Sequence, residues 1–166
     1  MAAAWAALAA VPDPEVPALS VCDLGIVRDV IAPDAAGEPL EVVLTPTYSG
    51  CPATEVIAEQ VRAAIDAAGL GPARITLRRA PAWSSDWISD EGRRKLREYG
   101  IAPPGHIAAG GAVPIRLFRP SAAPQVPCPR CGSPRTEQLS AFGSTACKSL
   151  YRCLACREPF EYFKPI

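Results

Sequence analysis

The apolar positions change period several times along the chain. Leu40, Val42, Val43 and Leu44 form a short apolar run, rich in β-branched residues, which predicts a strand. Val56, Ile57, Val61, Ala64, Ile65 and Ala68 then recur at helical spacing, so residues 54–68 are expected to form a helix. Gly69 suits the position just past its end. Residues 25–31 alternate around Arg28 and Asp29 and read as a strand, and the turn-rich stretch 33–39 makes it the antiparallel hairpin partner of the next strand. Residues 73–79 alternate apolar and basic, which predicts a strand with one wet face. Helices are expected over residues 2–10, ended by Pro12 and Pro14, and over 89–99, opened by Ser89 and the acids Asp90 and Glu91. Residues 100–111 read as loop and 113–118 as a further strand.

A second pattern begins after the proline-rich stretch 121–127, which reads as a linker. Strands are expected near 136–142, 148–152 and 160–164, punctuated by cysteines. The fold class is therefore α+β: a small α-β-β-α-β-α sandwich over residues 1–111, followed at 112–166 by a strand, the linker and a zinc-ribbon-like β unit.

Composition narrows the chemistry. Lys+Arg and Asp+Glu each number 17, so no global field recruits nucleic acid or a membrane surface. No apolar run approaches the roughly 20 residues of a membrane helix, and no basic segment precedes an apolar one near Met1. Seven cysteines in that context point to a reducing cytoplasm and to metal or thiol chemistry.

Four of them form two Cys-x-x-Cys turns, Cys128/Cys131 and Cys153/Cys156. Two such turns build a tetrahedral sulfur site, most often for zinc, and a tail this short needs the metal as its core. Gly132 permits the left-handed turn after Cys131; Arg157 stands in the matching place, so that turn is expected to be less regular. Cys51 lies between a strand and a helix, with Pro52 suited to the first helical position. As N-cap, its sulfur would face unpaired amides and the positive end of the helix dipole, which favours the thiolate. The competing reading is a small buried hydrophobe. Cys147 carries the same pair of readings: a spare buried thiol, or a partner of Cys51 in a labile site for iron or an Fe–S cluster.

Other features have bland and sharp readings side by side. Trp83 and Trp87 form a lip over a site, or simply pack. Arg93, Arg94, Lys95 and Arg97 form a solvated helix face, or contact an acidic partner. His106, the only histidine, reads as an ordinary loop residue, since a lone His has no metal or triad partner in sequence reach; the alternative is a thiol enzyme built on Cys51, which would need it as base. No Glu-x-x-His pair and no dinucleotide or phosphate fingerprint is present.

Two long stretches carry a resemblance. One is Asp13-Pro14-Glu15-Val16-Pro17 with Leu19-Ser20-Val21 and Asp23-Leu24-Gly25-Ile26-Val27; the other is Thr45-Pro46-Thr47-Tyr48-Ser49-Gly50-Cys51-Pro52. Both resemble the SufT-like family of iron–sulfur assembly factors. The cysteine turns, Phe142-Gly143-Ser144-Thr145, Cys147-Lys148 and Glu158-Pro159-Phe160 narrow the likeness to the accessory subunits encoded with bacterial phenylacetyl-CoA epoxidases. The resemblance implies a non-catalytic role in phenylacetate breakdown, with the oxygenase and reductase subunits as partners. It maps the family's reactive cysteine onto Cys51 and its acidic positions onto Asp13, Glu15 and Asp23. The implied cofactors are zinc in the tail and transient iron or an Fe–S cluster at Cys51, held within one chain or across a homodimer.

Overall fold

The computed structural model describes residues 1–33, 35, 38–48, 50–106 and 125–166. They pack as two units, 1–96 and 97–166, with the boundary inside a helix. The expected boundary at 111/112, the strand at 113–118 and most of the linker at 121–127 lie outside the described residues.

In the first unit the elements are α1 (Ala2–Ala9), β1 (Val27–Ile31), β2 (Leu40–Leu44), α2 (Ala53–Ala67), β3 (Ala73–Leu77) and α3 (Asp90–Tyr99), the last crossing into the second unit. The order along the chain is the expected α-β-β-α-β-α. The sheet runs β1-β2-β3, with β1 antiparallel and β3 parallel to β2. Central β2 is apolar because it is covered: Leu40, Val42, Val43 and Leu44 are all buried. From α2, the stripe Ala53, Ile57, Val61 and Ile65 is buried, one residue per turn. Two bonds close its end, from Gly69 N–H to Asp66 O and from Leu70 N–H to Ile65 O, while Gly69 takes φ +69°. That is a Schellman stop, and it needs the left-handed conformation that glycine adopts without penalty.

The second unit is a four-stranded sheet, β4-β7-β6-β5, with β4 (Ile101–Ala102), β5 (Thr136–Ser140), β6 (Lys148–Cys153) and β7 (Pro159–Phe163). The stretch 100–111 is thus not all loop: Ile101 and Ala102 pair in parallel with Glu161 and Tyr162. A two-residue strand has no periodicity to betray it, and its pairing spans some sixty positions. Its small core contains Ala102, Val126, Tyr151, Phe160 and Tyr162 together with Cys128 and Cys153. Tyr151 stacks on Phe160 and meets Tyr162 edge-on, with centroids 5.8 and 5.7 Å away. No helix among the described residues is long and apolar enough to cross a membrane.

Candidate metal centre and thiol site

The two cysteine turns converge in the second unit. Cys128 Sγ lies 3.8 Å from Cys156 Sγ and Cys131 Sγ 3.6 Å from Cys153 Sγ, and all four sulfurs fall within 4.8 Å of one another. A tetrahedral zinc site with Zn–S near 2.3 Å has sulfur–sulfur edges of about 3.8 Å, so the donor set fits zinc in number, element and spacing. Cys128 and Cys153 are buried while Cys131 and Cys156 are exposed, so the site is anchored to the core by one sulfur from each turn.

Backbone conformation explains the convergence. Gly132 and Arg157, each following the second cysteine of its turn, both adopt left-handed φ, +72° and +68°. The expectation of a less regular second turn is therefore corrected. Arg157 accepts a conformation costing about 1–2 kcal/mol for a side-chain-bearing residue, and the amides of Ala155 and Cys156 still point at Cys153 Sγ, each 3.4 Å away. Those amides, Cys156's first, hold the Cys153 thiol down at about 6. Cys156 moves the other way: an amide from Glu158 lowers it, but desolvation and the thiols of Cys153 and Cys131 together push it up.

Cys51 sits on the turn between β2 and α2. The N-cap of α2 is Pro52, at φ −67°, and the first helical residue is Ala53; the cap thus falls one residue later than expected. Pro52 already has helical dihedrals but no N–H, so the ordered turn starts one residue past the proline. It is the carbonyl of Cys51, not its sulfur, that takes part in the start of the helix, accepting from Thr54 N–H at 3.2 Å and Thr54 Oγ1–H at 2.9 Å. The thiol is half-buried.

The other thiols differ. Cys147, in the second unit, is buried, with Sγ 3.0 Å from Thr145 Oγ1. Cys22 is half-buried, and burial, helped by neighbouring Asp23, pushes its thiol up to about 11, so it is protonated and unreactive at neutral pH.

The three acids of the long motif have structural partners. Asp13, 6% exposed, accepts from the amides of Glu15 and Val16 through Oδ1, at 2.9 and 2.8 Å. Glu15, its own amide held by Asp13, is only half-buried. Asp23 accepts from Ser20 N–H at 2.9 Å and Lys95 Nζ at 2.7 Å, and Ser89 Oγ approaches at 3.4 Å. Burial raises its carboxyl, but the bonds from Lys95 and Ser20 outweigh it and hold the group below 3.8.

The basic run is accordingly not one solvated face. Arg93 is buried and donates to Ser85 O at 2.8 Å, Lys95 binds Asp23, and Arg94 pairs with Glu91 on the surface. Trp83 is buried with Nε1–H donating to Leu24 O at 2.9 Å, while the half-buried Trp87 carries the Arg28 guanidinium 3.6 Å above its ring. His106 is exposed. The sequence reading missed one pair altogether: Lys148, its side chain 3% exposed, holds Glu161 at 3.0 Å, and Glu161 also accepts from Ser144 N–H at 2.6 Å. Lys148 shares a face of β6 with half-buried Leu150 and exposed Arg152, opposite the buried Ser149, Tyr151 and Cys153, so nothing in the residue pattern marks it as buried.

Comparison with known proteins places these geometries. A family model described as "PaaD zinc beta ribbon domain" matches residues 115–164, and one described as "Iron-sulfur cluster assembly protein" matches residues 1–76. A protein of Escherichia coli (strain K12), named for its place among the subunits of 1,2-phenylacetyl-CoA epoxidase, is 48% identical over 98% of this chain and 91% of its own length. The chain belongs to the PaaD family. An "Fe-S protein maturation auxiliary factor" of Porphyromonas gingivalis (strain ATCC BAA-308 / W83) is 34% identical over 54% of this chain and 83% of its own. Among solved structures, a Bacillus anthracis "Domain of Unknown Function DUF59" is 26% identical with a TM-score of 0.51, covering 56% of this chain and 87% of that one. The iron–sulfur assembly match falls in the first unit and the zinc-ribbon match, with the four-cysteine cluster, in the second.

Proposed function

We propose that this chain is a non-catalytic maturation subunit of a phenylacetyl-CoA epoxidase system, and that it carries iron or an Fe–S cluster on Cys51 to the oxygenase or reductase. The observation that carries the reading is the half-exposed Cys51 thiol on the β2–α2 turn, when Cys22 and Cys147 are tied into packing and four other cysteines form one cluster. A delivery site needs a ligand that can exchange, and a single accessible thiolate exchanges far more readily than a closed four-sulfur site. Family membership in iron–sulfur assembly and the name of the Escherichia coli relative point to the cargo and the client. In this reading the four cysteines hold zinc, which folds the second unit and presents a surface to the client.

The test compares full-length wild type and Cys51→Ser, purified anaerobically and co-expressed with the partner subunits. The variant is expected to fold and keep its zinc, while iron in the partner falls several-fold. Normal iron in the partner would overturn the carrier role.

The structural hydrogen bonds of Asp13 and Asp23 and the four-cysteine ribbon favour a second reading, a structural subunit in which zinc is a staple and Cys51 is incidental. There Cys51→Ser is silent, and loss of Cys128 or Cys153 alone disrupts the complex.

A further inference from the structure

The first unit carries an edge that none of this uses. Strand β3 ends its sheet, and among the described residues only β2 pairs with it. Its outer row of N–H and C=O groups is a template for another strand. Beside it runs a groove of about 300 Å³ lined by Glu55, Ala58, Glu59 and Arg62 of α2 and by Ile75 and Leu77 of β3. Leu77 is 43% exposed, high for a leucine on a strand.

We infer that the occupant of this edge is the β3 of a second copy, and that the chain forms a twofold dimer with Ile75 on the axis. The charge pattern chooses that partner. Since β2 and β3 are parallel and α2 joins them, α2 runs antiparallel to β3 along the groove. On α2, Glu55 lies at one end of the groove face and Arg62 at the other, two turns apart. Two α2 helices brought together antiparallel about a twofold axis between Ala58 and Glu59 place Glu55 of each copy opposite Arg62 of the other. Glu59 is offset by Arg62 of its own helix, three residues on.

The strand fixes the same axis independently. Opposed residues in an antiparallel pair must share a face, so the axis passes through a residue and not between two. With Thr76 on the axis, Arg74 would face Arg78 of the other copy, and like charges directly opposite are destabilising. With Leu77 on it, Ile75 would face Arg79. Only with Ile75 on the axis does Arg74 face Thr76 and Ala73 face Leu77. From Leu77 to Ile75 is about 6.6 Å of strand, or about four helical residues. Leu77, at the end of β3, and Thr54, at the start of α2, both line the groove; with the two level, Ile75 falls beside Ala58, where the helices place the axis.

The arrangement has a consequence for cargo. Cys51 lies seven to eight residues from the axis along α2, so the two Cys51 thiols would be on the order of 20 Å apart. No cluster would bridge them, and each protomer would carry its own. The dimer itself does not depend on Cys51 carrying anything.

Sedimentation velocity on the full-length protein, from micromolar to hundreds of micromolar, tests the inference. Wild type is expected to show a monomer–dimer equilibrium that weakens with salt. Glu55→Arg should raise the dissociation constant at least tenfold, and Glu55→Arg with Arg62→Glu should restore most of the loss. A wild type that stays monomeric throughout, a dimer indifferent to Glu55→Arg, or a loss that the charge swap does not restore would each overturn it.

Discussion

Asp23 distinguishes two accounts of the long acidic motif, since the same carboxylate is either a strut or part of a working site. Replacing it by alanine removes the acceptor for Ser20 N–H and for Lys95 Nζ, at 2.9 and 2.7 Å. Ser20 is buried, 7% exposed, so its amide would lose its partner away from water, which costs about 1–2 kcal/mol. The Lys95 side chain is 32% exposed and can return to solvent, so the ion pair adds only about 1 kcal/mol. The expected loss is therefore about 2–3 kcal/mol for Asp23→Ala, and about half of that for Asp23→Asn, which keeps an acceptor oxygen but no charge. Urea unfolding followed by tryptophan fluorescence reads it directly, because Trp5, Trp83 and Trp87 all lie in the first unit. The pH dependence has a fixed sign. The folded-state carboxyl is held below 3.8, so its contribution is fully present above that value and is lost as pH falls through the lower folded one. The gap between wild type and Asp23→Asn should accordingly be constant from pH 7 to about 5 and close below about 4. An Asp23→Ala variant within 0.5 kcal/mol of wild type at pH 7 would refute the strut, as would a gap that persists unchanged to pH 3.

Two further outcomes concern the second unit. Glu161→Gln leaves the Lys148 ammonium buried without its counter-ion and should destabilise this unit by about 2 kcal/mol, less than a fully buried pair would cost because Glu161 is 22% exposed; Lys148→Met with Glu161→Leu should sit close to wild type, and hydrogen exchange of β6 and β7 amides measures both. Stripping zinc with a chelator should unfold the second unit, because Cys128 and Cys153 are core residues as well as ligands. Hydrogen exchange of the β6 and β7 amides before and after chelation measures it, and amides that stay protected in zinc-free protein would contradict the metal's place in the core.

What the sequence made legible follows from the range of the interactions involved. The α2 stripe, the stop at Gly69 and the hairpin of β1 and β2 are local, written in spacing and in single residues with strong conformational preferences. The four-sulfur cluster was equally readable, because two Cys-x-x-Cys turns have little else to do. Long-range partners were not. Nothing around Ile101 announces a strand, since the partner is Glu161. Nothing around Lys95 says that its charge belongs to Asp23, seventy-two residues away, so a run of four bases looked like one surface. The second cysteine turn departs from expectation for the opposite reason. Arg157 disfavours left-handed φ locally, but a non-glycine accepts it when the structure around it over-determines the turn.

The two thiol settings of the chain also constrain each other. A four-thiolate zinc site in a small domain binds with an apparent 10–16 kcal/mol at neutral pH, and that energy is spent on folding. Cys128 and Cys153 show the coupling directly, since both are core residues of the unit as well as ligands. Releasing metal from that cluster would take apart the core that holds it, so it cannot act as a shuttle without unfolding. Cys51 has no such place in its domain: it is half-buried and is not among the buried residues that make the first unit's core. If the chain moves a metal or a cluster at all, the moving part must be the cysteine whose loss the fold would survive, which is why Cys51→Ser is the informative substitution and a tail cysteine is not.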